Sequence, residues 1–302
     1  VAALAAPPPP ALSGYPEPLA CAHKMDDSAR RGDVDDADTA GLVSAKAAEG
    51  AAVAGSADEE AWQRRGKWQA FFDGTYAPHL GGGAGGSLDQ LPWRSFAPAS
   101  QLAAYVAAGR LPADSRALEL GCGTGESLVC LAQHAAFACG VDVVPAAVET
   151  SQRALREAGL EAVSQVICAD VLQLPEAGPA LRDGGGWEFD FVFDCQCFHC
   201  LRLIPGLSRS ALAQTFARLL RPGGRLLLLT GNKDEAAYRG PEQLTREELM
   251  SAFDGYLVCE DLSTTHFDWT PTYRRQEFVE PPLGWVSVWS KPPASAASPI
   301  QC

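Results

Sequence analysis

The chain has 302 residues and a formal net charge of −13, with 47% hydrophobic and 20% charged residues. That length suits one large α/β domain with a sizeable core, and no apolar run reaches the length of a membrane span. The acidic balance argues against unassisted nucleic-acid binding, which needs a basic face.

The acid is unevenly spread. Residues 1–60 hold four Lys/Arg and eleven Asp/Glu, a net of −7, so the other 242 residues account for the remaining −6. Residues 1–58 lack apolar periodicity, carry a tetraproline and the run Asp33-Val-Asp35-Asp36-Ala-Asp38, and read as a disordered tail. The chain begins at Val1, as a processed form or a fragment would. The Ala/Pro-rich stretch 1–23 reads as a disordered leader, since a targeting remnant would show an Arg-rich amphipathic pattern. Order is expected from Glu59. Trp62, Lys67, Trp68, Phe71 and Phe72 fall on a helix whose aromatic stripe suits packing. A glycine loop, 81–86, and Leu91-Pro92-Trp93-Arg94 follow, then a helix at Ala99–Ala108.

The core opens on Ala117-Leu118-Glu119-Leu120-Gly121-Cys122-Gly123-Thr124-Gly125-Glu126. A short apolar strand runs into three glycines spaced two apart. Glycines tolerate positive φ and leave the backbone bare, so such a turn offers N–H groups to an anion at a helix N-terminus. The next helix carries Leu128, Leu131, Ala132 and Ala135 on one face. A second strand, Phe137–Val141, ends in Asp142, about twenty residues past the glycines, where α/β folds present a carboxylate to ribose hydroxyls. A helix starts at Pro145 and stops before Gly159. Strands at Gln165–Ala169 and Phe189–Phe193 also end in acids, Asp170 and Asp194, with a loop at 176–186 between them. A helix at Ser208–Leu220 leads through a Pro222-Gly223-Gly224 turn to a fifth strand. Thr245 and Glu248 have capping-box spacing, and strands at Tyr256–Thr265 and Gly284–Ser290 complete the sheet.

The ten cysteines, including Cys130, Cys139, Cys168 and Cys259, read as small buried hydrophobes of a reducing compartment, cytoplasm or organelle interior. Cys195, Cys197, His199 and Cys200 include a ligand-like C-x-x-C. No second pair stands at finger distance downstream, where His266 is alone, so no metal site is expected.

Five motifs in register over residues 100–290 resemble the class I S-adenosylmethionine-dependent methyltransferases. The G-x-G-x-G spacing and the L-x-P-G-G-x-L-L turn do not fit a dinucleotide-binding fold. The resemblance implies a Rossmann-like seven-stranded sheet with helices on both faces and an antiparallel last strand. It divides the chain into a tail (1–58), a helical lid (59–110), the methyltransferase domain (111–292) and a flexible end (293–302). It also implies roles. Backbone of Gly121, Cys122, Gly123, Thr124 and Gly125 would pass beneath the methionine tail, and Glu119 would reach the ammonium. Asp142, with Val143 beside it, would accept from the ribose hydroxyls. Asp170 and the Val171 N–H would read adenine. Asp194 would orient the sulfonium end or the substrate, His199 would serve as base where one is needed, and Trp93 would cap the site. Plainer readings stand beside these: a solvent-facing Glu119, Asp142 as a helix cap, Asp170 in a turn, His199 satisfied by backbone.

The Trp-led N-terminal helix, the Leu-Pro-Trp segment and the fourth motif look like the small-molecule branch that includes thiol, halide and thiopurine methyltransferases. Arg94 departs from the Pro-Trp-Asp of the thiol/halide pattern. The expected partner is a small-molecule methyl acceptor, with neither nucleic acid nor membrane; the oligomeric state is open and a monomer is compatible. A protein-lysine methyltransferase is the alternative, though its Pro-Pro-Tyr or Pro-Phe signature is replaced here by Asp194-Cys195-Gln196-Cys197. A non-catalytic scaffold would have no need of the acids at 119, 142 and 170.

Overall fold

A computed structural model describes residues 66, 68–73, 88–176, 178–235, 243–275 and 279–293. All lie in one compact unit, Ala54–Cys302. The expected tail, Trp62, Lys67, the 81–86 glycine loop and nearly all of the C-terminal end fall outside these residues.

A helical stretch at 68–72 comes first. The order is then α1 (Ser100–Ala107), β1 (Arg116–Leu120), α2 (Glu126–His134), β2 (Phe137–Asp142), α3 (Pro145–Glu157), β3 (Ser164–Cys168), β4 (Phe189–Cys195), α4 (Cys197–Leu201) and α5 (Arg209–Arg218). After these come β5 (Leu220–Gly231), α6 (Arg246–Phe253), β6 (Val258–His266), α7 (Pro271–Arg275) and β7 (Leu283–Ser290). The seven strands form one sheet in the order β3-β2-β1-β4-β5-β7-β6. β1 to β5 run parallel, and β7 is antiparallel to β5 and β6. Strand order reverses between β1 and β4, the switch point at which such sheets bind ligands beyond the carboxyl ends of the strands. The class expected from the sequence is the one observed.

Local signals explain the boundaries. Pro145 opens α3, and Gly159 follows it at φ +71°. Thr245 and Glu248 exchange both capping-box bonds. The apolar face of α2 is buried as its spacing requires, with Leu128 and Leu131 fully so. Two expectations are corrected. Pro222-Gly223-Gly224 is no turn before β5 but a bulge within it. Leu220 already pairs with Phe189, the register then shifts before Arg225 meets Phe191, and Gly223 sits at φ +82°. Cys168 and Cys259 are not buried, because they lie on β3 and β6, the two edges of the sheet. Cys130 and Cys139 are buried as expected. Two apolar layers flank the sheet. One, around Leu118, Phe198, Phe216, Phe253 and Trp289, lies under α4–α6; the other, around Leu128, Leu131, Phe191 and Phe193, lies under α1–α3. No helix among the described residues is long and apolar enough to cross a membrane.

Candidate active site

A cavity of about 360 Å³ opens beyond the carboxyl ends of the strands. Its wall follows from strand parity. Alternate residues of a strand face opposite sides, and the register pairs Glu119 with Gly140 and Asp142 with Cys168. Glu119 and Asp142 therefore share one face, at successive strand ends, and Asp170 follows two residues past Cys168. All three line the cavity.

The glycine turn lies between them. Gly121, Gly123 and Gly125 take φ of +67°, +54° and +91°, so Cβ-bearing residues there would be strained. A Cβ on Gly121 would stand 3.1 Å from that of Cys197, and one on Gly125 would meet the Ser151 backbone at 2.9 Å. Asp142 holds the turn in place. Its Oδ2 accepts from the Gly123 N–H at 2.9 Å and its Oδ1 from the Val144 N–H at 2.9 Å. Burial raises its pKa against these bonds. Asp170 caps the short helical turn after β3 by accepting from the Leu172 N–H at 3.0 Å.

Glu119 is 5% exposed, and its Oε2 has no partner among the described residues. Burial, with the nearby charges of Glu126, Asp142 and Asp194, pushes its pKa well above the carboxylate range. A cation entering the cavity would relieve both the missing partner and the mutual repulsion. The charge of the lining agrees: among its described residues are five carboxylates, Glu119, Glu126, Asp142, Asp170 and Asp268, against one basic group, Arg94. That wall fits a ligand with a sulfonium, an ammonium and a ribose, and the bare glycine turn leaves space for it. Cys122, Thr124, Val143 and Val171 also line the cavity.

An aromatic roof covers the turn. Trp93 packs against Trp68, Phe71 and Phe72 at centroid distances of 5.9, 5.1 and 6.4 Å. Its Nε1 would lie 3.8 Å from a Cβ on Gly123.

Asp194 and His199 are off the described cavity wall. Asp194 pairs with Leu120, so its side chain shares the face opposite Glu119. It is fully buried, its Oδ2 accepts from the Phe198 N–H at 2.9 Å, and burial pushes its pKa up to about 8. His199 is 1% exposed, and neither ring nitrogen has a partner among the described residues. Burial and the Arg202 charge hold its pKa down to about 3. Cys195, Cys197 and Cys200 do reach the wall. Burial raises the thiols of Cys195 and Cys197 well above their usual range, and among the described residues no group of three or more ligating side chains could hold a metal ion.

The cavity wall also carries residues no motif announced: Gln101, Leu229, Phe267, Asp268, Thr270, Thr272 and Tyr273. Gln101 Nε2 donates to Thr265 Oγ1 at 2.9 Å and to the His266 carbonyl at 2.7 Å, and the Ser100 N–H donates to Asp268 Oδ2 at 2.9 Å. These bonds fasten α1 to the end of β6 and to the chain just after it. The partners stand more than 160 residues apart, beyond the reach of any local spacing rule.

Fold and cavity together fit an S-adenosylmethionine-dependent methyltransferase. Residues 118–228 match the family model described as a methyltransferase domain, and the chain carries that domain with S-adenosylmethionine as its cofactor. The 2-heptyl-1-hydroxyquinolin-4(1H)-one methyltransferase of Mycobacteroides abscessus is 26% identical over 65% of this chain and 85% of its own length. A probable thiol methyltransferase of Arabidopsis thaliana is 30% identical over 52% of this chain and 64% of its own length. A structure solved in work on the conversion of a disulfide bond into a thioacetal group during echinomycin biosynthesis shares the fold. Its TM-score is 0.56 over 76% of this chain and 93% of that one, at 23% identity.

Proposed function

We propose that the chain transfers a methyl group to a small, largely apolar molecule whose nucleophile arrives protonated, as a thiol or an acidic hydroxyl. One observation carries this reading. The described wall away from Asp142 and Asp170 offers apolar surface and hydrogen-bond acceptors, while the one basic lining group, Arg94, is engaged by Glu126 and Asp89. A halide would find no unengaged cation there, whereas an S–H or O–H would find Asp268. The two relatives named above, one for a hydroxyquinolinone and one for thiols, support such an acceptor.

When bound, the cofactor supplies an electrophilic methyl on a sulfonium, which is a good leaving group. The protein's part is then positioning and exclusion of water. Asp142, which keeps the glycine turn folded, would accept from the ribose hydroxyls, Asp170 and the Val171 N–H would hold the base, and Glu119 would take the ammonium. Trp93 and its aromatic neighbours keep water from the turn. Asp268 receives the proton that the nucleophile sheds. His199, buried off the wall, takes no part in that transfer.

The test is tritiated methyl transfer to a panel of thiols, phenols, halides, amines and protein extract. Label in thiols or phenols is expected. Label confined to halides would end this reading, and label in protein would favour the protein-lysine alternative.

A further inference from the structure

We propose that Arg94 is a positioning residue whose ion pair with Glu126 holds Trp93 over the glycine turn and thereby sets how tightly the cofactor is held. The proposal rests on cofactor binding and not on the identity of the acceptor.

Arg94 Nε donates to Glu126 Oε1 at 2.7 Å, and Nη1 donates to Asp89 Oδ1 at 3.0 Å. The Arg94 and Glu126 side chains are 19% and 22% exposed, so water screens this pair less than an open surface pair. Glu126 is the first residue of α2, directly after Gly125. Its other oxygen accepts from the Thr124 hydroxyl. The helix N-terminus favours its negative charge, which fixes the carboxylate as an anchor for whatever cation reaches it.

What reaches it is the segment that carries the roof. Arg94 adjoins Trp93, and its own N–H donates to the Leu91 carbonyl at 3.1 Å. Leu91 is 2% exposed and packs with Phe72, Val144 and Ala147 at the start of α3. A second tie lies five residues on, where the Ala99 N–H donates to Ser127 Oγ at 3.1 Å. The segment is thus held at both ends, by packing on α3 and by bonding to α2, and Arg94 is the charged link between Trp93 and the glycine turn. An acid at position 94 would face Glu126 and repel it, so the arginine departs from the thiol/halide pattern in a way that this chain's Glu126 makes favourable.

Calorimetric titration of the full chain with S-adenosylhomocysteine tests the link without relying on turnover. Arg94→Ala should weaken binding roughly three- to tenfold, the range for a partly screened charge-assisted pair, with little change in melting temperature. Arg94→Lys, which keeps charge but loses the planar fork, should fall between. In a double-mutant cycle, Arg94→Ala combined with Glu126→Gln should weaken binding little more than either change alone, because both remove the same ion pair. Two independent structural losses would instead add. Unchanged affinity in Arg94→Ala would overturn the proposal, as would fully additive losses in the double variant. If Arg94→Ala does not fold, Glu126→Gln carries the same expectation and the same refutation. A parent chain that fails to bind S-adenosylhomocysteine would overturn the proposal together with the cofactor assignment.

Discussion

Asp194 and Glu119 stand at the ends of adjacent strands, and their register separates their roles. Glu119 is level with Phe193, so Asp194 is one residue out of phase and points to the other face of the sheet. The acids at strand ends were legible in the sequence; their faces were not, because register between strands is set by contacts distant in the chain. Two of these acids, Asp142 and Asp194, yield tests. Asp142→Ala removes an acceptor from the Gly123 and Val144 N–H groups and from the ribose. Binding of S-adenosylhomocysteine should weaken by about 1.5–3 kcal/mol, as for a charge-assisted bond. A folded variant with unchanged affinity would take Asp142 out of the site. Asp194 has a folded-state pKa of about 8 against an ordinary 3.8. The folded state therefore holds an extra proton between these values, and this group's stabilisation is lost as pH rises through that window. Asn resembles the protonated acid. The stability of Asp194→Asn relative to the parent should improve by about 2 kcal/mol between about pH 6 and about pH 8, from roughly 1.36 kcal/mol per unit. Urea denaturation at the two pH values measures it, and parallel behaviour of parent and variant would refute it.

At the scale of elements, boundaries were legible wherever one residue enforces them. Pro145, Gly159 and the Thr245–Glu248 box each act through their own backbone, so their effect can be read locally. Thr245→Ala removes the acceptor for the Glu248 N–H at 3.1 Å. It should cost about 1 kcal/mol of unfolding free energy, read from a denaturant midpoint shifted at constant slope. A midpoint equal to the parent's would mean that tertiary packing alone holds the start of α6. The bulge at Gly223 and Gly224 was less legible. Pro-Gly-Gly reads as a turn from local chemistry, yet the Gly223 N–H donates to the Lys291 carbonyl at 2.8 Å and the Lys291 N–H to the Gly224 carbonyl at 2.9 Å. The strand continues through the glycines because the chain past β7 lies beside them. Cys168 and Cys259 differ from Cys139 for a related reason. Burial depends on whether a strand is central or at an edge, and a single strand's sequence carries little of that information.

Across the whole molecule, the order β3-β2-β1-β4-β5-β7-β6 divides the cavity between two tasks. The β3-β2-β1 side carries Asp170, Asp142, Glu119 and the glycine turn, all within one continuous stretch of the chain, and this half was legible because its signals are short and regularly spaced. The other side is assembled from α1, the end of β5 and the residues after β6. Its parts meet only through contacts such as Ser100 with Asp268 and Gln101 with Thr265, so no motif could reveal it. If the division is real, the two halves should be separable by mutation. Asp268→Asn keeps the shape of the side chain and an oxygen for the Ser100 N–H while removing the charge. It should lower kcat/KM for the methyl acceptor roughly tenfold, the loss of one charged hydrogen-bond partner, and leave S-adenosylhomocysteine affinity within about twofold. The acceptor's kcat/KM and the cofactor analogue's Kd, measured on the same variant, decide the matter. A parallel loss in both would show that the cavity acts as one unit, and an unchanged kcat/KM would move the acceptor's proton to some group other than Asp268.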